Sequence, residues 1–488
     1  MAQKNSLRSN FFYSFVYQML ELILPLITAP YIARVLGANS LGIYSTTHSF
    51  AQYFYLFAML GVKNYGNRAI ARVRDNKKDL SRTFWEIYLF QLMSATVMLI
   101  LYLLYCLMIC KEYTTIYVLQ IIYVASGLVD INWLCFGLEK FKLSTIRGAI
   151  IRIASTIAIF TCVKSREDLG LYTMIIAASI FLSCVAIWPF VIKHINFVCP
   201  SWRGIKKHIK PNLILFWPVI AVSLYNLMDK LMLGYFSANE EVAYYSNAEK
   251  IVQIPNTIIL ALDNVIMPRM ANLYEKESNS SKIHYLMDNV MMFATFLAAA
   301  MAFGVAGISD IFAPWFYGNE FMRCGYFIFL LSPIIIFRGW AGVLRTQFLI
   351  PAGRDKIYVT SLTAGAIVNL AINTILIPKM SGVGAIIGTL TAEFVVCFVQ
   401  FFCCRKDVNI KQYLVDGFSF CAVGGIMFFV VKALSNVNES ALLNMVVQIV
   451  VGSVTYVALG CFYMIKVRKS PTLVNEGLRM FKIKYRFK

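Results

Sequence analysis

About fourteen apolar runs, each long enough to carry a helix across a bilayer, set the limits on what this chain can fold into. They lie at 12–34, 41–63, 84–109, 113–136, 143–163, 170–192, 212–236, 247–267, 285–308, 324–348, 357–377, 383–404, 413–432 and 441–465. Each span needs about 20 apolar residues, so together they take roughly 280 positions. The rest of the 488 residues go to short loops and two tails. No stretch remains for a soluble domain of about 100 residues or more. Only 14% of the residues are charged, against about a quarter in soluble domains. The expected fold class is therefore all-α integral membrane, with the working parts inside the bilayer.

The loops alternate in charge. With the N-terminus in the cytoplasm, about 33 Lys and Arg fall on the cytoplasmic side and about 7 on the other, as the positive-inside rule requires. An even number of spans with both termini cytoplasmic follows. In a soluble protein the net charge of +20 would point to nucleic acid; here it reports topology, and no nucleic-acid partner is expected. The twelve cysteines are scattered singly apart from Cys403 and Cys404, without metal-ligand or disulfide spacing, so no cofactor or metal is expected. The first apolar run is long, contains Glu21, Pro25 and Pro30, and does not read as a cleavable signal.

The longest cytoplasmic loop, 194–211, divides the chain into six spans and eight. A weak repeat agrees with the division. Ala38-Asn39 recurs as Ala238-Asn239, Tyr44-Ser45 as Tyr245-Ser246, and Arg68 falls opposite Arg269. Both copies start from the same side, so they are parallel repeats related by a pseudo-two-fold along the membrane normal. The expected organisation is a six-helix bundle at 1–200, a second at 201–408 facing it across a central cavity, and two further helices with a basic tail at 409–488. The tail FKIKYRFK (481–488) suits the anionic inner leaflet.

Four segments carry a resemblance to a known family: PLITAPYIARVLGANSLGIYS (25–45), DINWLCFGLEKFK (130–142), Asp229-Lys230 running into YYSNAEKIVQIP (244–255), and LRTQFLIPAGRDKIY (344–358). They resemble the bacterial polysaccharide-export flippases, the Wzx-type O-antigen branch of the multidrug, oligosaccharidyl-lipid and polysaccharide exporter superfamily. Asp130, Trp133, Gly137, Glu139 and Phe141 stand in the segment most specific to that branch. The resemblance implies an undecaprenyl-diphosphate-linked oligosaccharide as cargo, a multi-pass location in the bacterial plasma membrane, and other polysaccharide-assembly proteins as partners. It leaves the last two spans outside the core shared with multidrug exporters.

Charged side chains inside the spans cost about 2.5–3.5 kcal/mol each at the helix centre, so they face a cavity or one another. Arg338 and Arg345, seven residues apart on the tenth span, share a helix face and could grip a diphosphate, because guanidinium offers paired hydrogen bonds to phosphate oxygens. The bland alternative is snorkelling, which suits Arg345 better than the mid-span Arg338. Arg152 enters the fifth span too deeply for easy snorkelling, whereas Arg147 suits an interfacial anchor. Lys230 is a further cationic candidate, and its neighbour Asp229 is a candidate for a coupling proton or sodium ion or for an ion pair. Glu393, Asp263 and Glu21 raise the same two possibilities. Arg34, Arg68 and Arg269 stand at span ends, where they either receive the cargo or anchor the helices. His48 and Gln52, spaced i, i+4, either line a cavity or join two helices.

Two function classes compete. An exporter would move an anionic lipid-linked sugar by alternating access; a membrane polymerase or ligase would act on it chemically. Every outer loop is short and the chain contains no GxxxxGK[ST] loop for ATP. Transport without enzymatic activity is therefore expected. A lipid II flippase or multidrug exporter is the alternative of the same class.

Overall fold

The computed structural model describes residues 2–276, 280–435, 437–469 and 475. Glu21 and Asp263 have side chains outside the described residues, as does the tail 481–488. The chain divides into two compact units, Met1–Ala243 and Tyr244–Lys488.

The first unit begins with α1 (Ala2–Met59), which joins the first two apolar runs. Its helical course is interrupted at Gly37, with φ 77° and ψ 174°. A side chain there would meet the preceding carbonyl, so a single glycine does the work of a loop. Then come α2 (Val62–Val73), α3 (Lys77–Met108), α4 (Thr114–Leu119), α5 (Ile121–Val129), α6 (Asn132–Gly137), α7 (Phe141–Cys162), α8 (Leu169–Val185), α9 (Trp188–His194) and α10 (Trp202–Phe236). The Asn76 side chain caps α3 by accepting from the backbone N–H groups of Lys78 and Asp79, which satisfies two of the four donors a helix start leaves open. Buried Val62, Ile70, Phe84, Ile87, Trp133 and Leu134 form the core among α2, α3 and α6. The helix α10, expected to open the second bundle, packs against α1, α2 and α3.

From α11 (Asn239–Lys276) the chain passes into the second unit. There α12 (Ser280–Tyr317) is followed by α13 (Met322–Leu331), α14 (Ile334–Val343), a π-helical turn (Leu344–Leu349), α15 (Asp355–Met380), α16 (Gly382–Cys404), α17 (Ile410–Ala433) and α18 (Ala441–Phe462). The tenth apolar run is bent by 44° between Leu331 and Ile334. Pro333 sits at that break, where it removes a helical N–H and crowds the preceding turn. The pair α17 and α18 lies along α12, with Met292, Phe420, Met427, Tyr456 and Tyr463 buried between them.

Among the described residues nine helices are long and apolar enough to cross a membrane, or up to eleven if each bent pair is one span. All of these coincide with expected runs. The remaining runs, 12–34, 41–63 and 247–267, fall on α1 and α11, both helical. Large apolar side chains point outward: Val97, Ile100, Leu104 and Leu107 on α3, and Phe418, Ile426 and Phe429 on α17. In water such faces would aggregate; in lipid they are the solvent-facing side. The protein is a multi-pass membrane protein.

Candidate functional site

The mid-span charges in the second unit meet each other. Arg338 on α14 donates from Nε to Glu393 Oε1 of α16 at 2.6 Å and from Nη1 to Gln253 Oε1 of α11 at 2.8 Å. The Glu393 side chain is 6% exposed and that of Arg338 18%. A charge pair removed from water needs good geometry and further hydrogen bonds to hold its place. Gln253 supplies one of them. The pair therefore forms a short polar bridge across α11, α14 and α16.

Arg345 does not join it. It lies in the π-helical turn, where Ile350 N–H bonds to its carbonyl at 3.0 Å. Its guanidinium sits over the Tyr358 ring of α15, 5.5 Å from the centroid. Seven residues set the two arginines about two turns apart along the helix, and at those two levels Arg338 and Arg345 serve different neighbours.

In the first unit Asp229 of α10 is fully buried and Lys230 half-buried. Tyr53, whose hydroxyl donates to the Ser223 carbonyl at 3.1 Å, lies within electrostatic reach of Asp229. Arg152 is half-buried on α7. Arg147, expected at the interface, instead ties three helices together, donating to Asn132 Oδ1 at 3.0 Å and to the Ser183 carbonyl. Arg34, Arg68 and Arg269 are exposed. His48 Nδ1 faces Gln120 Oε1 at 3.4 Å, a contact that joins α1 to the start of α5. No group of three or more metal-ligating side chains occurs among the described residues.

A family model for polysaccharide biosynthesis proteins matches residues 7–274. The chain belongs to that family. Two curated relatives, each named "Putative O-antigen transporter", come from Shigella dysenteriae and Escherichia coli (strain K12). The first is 25% identical over 80% of this chain and 98% of its own length; the second is 22% identical over 83% and 98%. Among solved structures, the lipid II flippase MurJ in an inward closed conformation has a TM-score of 0.77 at 14% identity, covering 94% of this chain and 100% of that one. An inward-facing multidrug resistance MATE transporter of the MOP superfamily has a TM-score of 0.60 at 13% identity, covering 80% and 97%. The polysaccharide biosynthesis protein thus has the fold of these transporters.

Within this family member, the segment 130–142 shows why its residues stand where they do. Asp130 accepts from the Tyr55 hydroxyl at 2.5 Å and from Asn132 N and Nδ2 at 3.0 and 2.7 Å, with Lys63 Nζ at 3.7 Å. Trp133 is buried and donates to Gln91 at 2.9 Å. Glu139, at φ 56°, accepts from Arg74 at 2.6 Å, a bond that holds the exposed guanidinium further above its ordinary pKa. The segment locks α2 and α3 to α6.

Sequence reasoning missed a second polar knot. Glu86 of α3 is fully buried and bonded to Arg82 at 3.0 Å, Lys207 at 2.7 Å and His208 at 3.1 Å, while Tyr65 meets the other His208 nitrogen at 2.6 Å. The available signal was a carboxylate one turn after Arg82 with Lys207-His208 opening another helix. Arg354 and Asp407 form a bidentate pair at 2.6 and 3.1 Å in the second unit, and this bond raises the Arg354 pKa.

Proposed function

We propose that the protein is a flippase that moves a lipid-linked, diphosphate-bearing oligosaccharide from the cytoplasmic to the outer face of the bacterial plasma membrane. The observation that carries this reading is the Arg338–Glu393 bridge inside the apolar spans of a polysaccharide biosynthesis family member. A guanidinium that already holds a carboxylate in a low-dielectric site can exchange it for a phosphate. Cargo and Glu393 then compete for one cation. A carboxylate displaced from its arginine takes up a proton or a sodium ion, and cargo binding becomes linked to the ion gradient. When the cargo leaves, the bridge closes again.

In this scheme undecaprenyl diphosphate enters from the basic side past Arg68 and Arg269, with both termini cytoplasmic. Arg34, Arg152, Arg345 and Lys230 line the route of the head group, and the polyprenyl chain stays in lipid. Asp229 is a second ion site, with Asp263 and Glu21 as further ones. The two halves rock between inward-open and outward-open states while covalent bonds in the cargo stay intact. Other polysaccharide-assembly proteins deliver and receive it.

Reconstitution in liposomes with fluorescent lipid-linked oligosaccharide and lipid II side by side tests the reading and the cargo together. Loss of the Arg338 charge-assisted bonds in Arg338→Ala should lower the initial flipping rate about 10- to 100-fold. Unimpaired flipping by the Arg338→Ala, Arg152→Ala double variant would overturn the cationic route. Selective flipping of lipid II would move the cargo to the alternative class.

A further inference from the structure

The outward faces of the spans are not alike. On α3, α7 and α15 the exposed large apolar side chains among the described residues are all Ile, Leu, Val or Met, such as Ile150 and Ile157 on α7 and Ile367 and Leu370 on α15. Helix α16 differs. Its three exposed large apolar side chains are Phe394, Phe398 and Phe402, each about half exposed. Their i, i+4, i+8 spacing sets them on one stripe. A single outward phenylalanine needs no explanation in lipid. Three in succession do, because the neighbouring α15 meets the bilayer with aliphatic side chains alone.

The rings form a ladder with a charged foot. Phe394 and Phe398 have centroids 6.1 Å apart at 24°, and Phe398 and Phe402 6.1 Å apart at 22°. Beyond Phe394 stands Phe337 of α14, the residue before Arg338, edge-to-face at 5.7 Å and 74°. At the other end the Arg405 guanidinium lies over the Phe402 ring, 4.1 Å from its centroid, within cation–π range. It commits one of its five N–H donors to the Phe402 carbonyl at 2.9 Å. Lys406 is exposed beside it. The next residue, Asp407, is gripped by both terminal nitrogens of Arg354, so Arg405 and Lys406 keep this end positive. From Phe394 to Arg405 the helix rises about 16 Å at 1.5 Å per residue. That is about half of a 30 Å hydrocarbon core, the depth of one leaflet.

A matching occupant is anionic at one end and carries, through one leaflet, a chain that gains from aromatic faces. A phospholipid meets the first demand, but its methylene chains pack on leucine as well as on phenylalanine. A polyprenyl diphosphate meets both. Every five-carbon unit brings a planar C=C bond whose adjacent C–H groups sit well on the electron-rich face of a ring. Its diphosphate takes paired hydrogen bonds from a guanidinium. We propose that the outward face of α16 is a docking track for a polyprenyl diphosphate carrier, with Phe394, Phe398 and Phe402 along the isoprenoid chain and Arg405 on the diphosphate. The inference rests on the flippase reading for its occupant and adds the place where the carrier lodges before its head group moves.

Photolabelling tests it. The full-length protein in phosphatidylcholine nanodiscs is irradiated with undecaprenyl diphosphate bearing a diazirine on its chain, and adducts are mapped by peptide. The competitors are unlabelled undecaprenyl diphosphate, its fully hydrogenated analogue, undecaprenol and phosphatidylglycerol. The expected result is adducts concentrated on 394–405 and competed best by undecaprenyl diphosphate. Apparent affinity should fall about tenfold or more in the Phe394→Leu, Phe398→Leu, Phe402→Leu triple variant, as for three lost ring contacts. It should fall about tenfold in Arg405→Gln, as for one lost charge-assisted bond. The triple variant keeps the face apolar, and the labelling pattern of the parent protein decides without any variant. Labelling spread evenly over α15 and α16, equal competition by phosphatidylglycerol or by the hydrogenated analogue, or parental affinity in the triple variant would each overturn the proposal. Unpatterned labelling in a protein that flips lipid-linked oligosaccharide rejects the track alone. Patterned labelling in a protein that flips none upholds the track and rejects the flippase reading.

Discussion

A single side chain inside a membrane protein can be worth very different amounts according to where its partner stands. Asp130 illustrates this. Its strongest contact is the Tyr55 hydroxyl at 2.5 Å, on a carboxyl that is 4% exposed. Its formal ion-pair partner Lys63 stands at 3.7 Å with the side chain 54% exposed. A hydrogen bond to a buried charge contributes about 1.5–3 kcal/mol, whereas a pair with one solvated member contributes about 1 kcal/mol or less. Tyr55→Phe should therefore lower the unfolding midpoint in detergent clearly more than Lys63→Met. Thermal denaturation of both variants decides the matter, and the reverse order would refute the account. The same distinction separates Arg338 from Arg68 and Arg269. All are basic residues of apolar or span-end sequence, yet only Arg338 was drawn into the interior by a carboxylate and an amide.

At the level of elements, packing of α2 on α6 depends on two glycines. A Cβ on Gly66 would sit 2.7 Å from the Trp133 ring, and one on Gly137 would sit 2.7 Å from Ile70. Trp133 is among the largest fully buried side chains, so its ring has nowhere to move. Gly66→Ala should cost about 1–3 kcal/mol by overpacking, and Trp133→Ala about 3–5 kcal/mol by the cavity it leaves. In the double variant the new methyl partly fills the space left by the indole. The losses should then sum to less than the two single values, and strict additivity in denaturation would show that the helices do not pack this way. What could be read in the sequence follows from the same physics. Apolar runs mark helices because lipid tolerates little else, and the segment 130–142 stood out as a unit before its contacts were known. Irregularities could not be read: the π-helical turn at Leu344–Leu349 and the bend at Pro333 leave no mark in the apolar pattern of the tenth run. Glu86 went unnoticed because its partners Lys207 and His208 come from a helix more than a hundred positions away.

For the whole molecule, the last two spans raise the sharpest question of what a membrane fold needs. The sequence resemblance leaves them outside the core shared with multidrug exporters, and a MATE transporter reaches a TM-score of 0.60 while covering 80% of this chain. They could then be removable. The contacts say otherwise. The Tyr456 hydroxyl donates to the Phe296 carbonyl at 2.8 Å, Tyr413 donates to Asp288 at 2.6 Å, and a Cβ on Gly424 would lie 2.4 Å from the Phe303 ring. Lipid is as apolar as the face of α12 these helices cover, so removing them forfeits packing and hydrogen bonds and no hydrophobic burial. Each interhelical bond inside a membrane is worth about 0.6–2 kcal/mol. A chain ending at Arg405 should thus still insert and purify but unfold at a lower temperature. Tyr456→Phe in the full chain should reproduce a small part of that shift. A truncated chain as heat-stable as the parent would make the pair an appendage; one that fails to insert would mean that α12 needs its partners during assembly as well as after it.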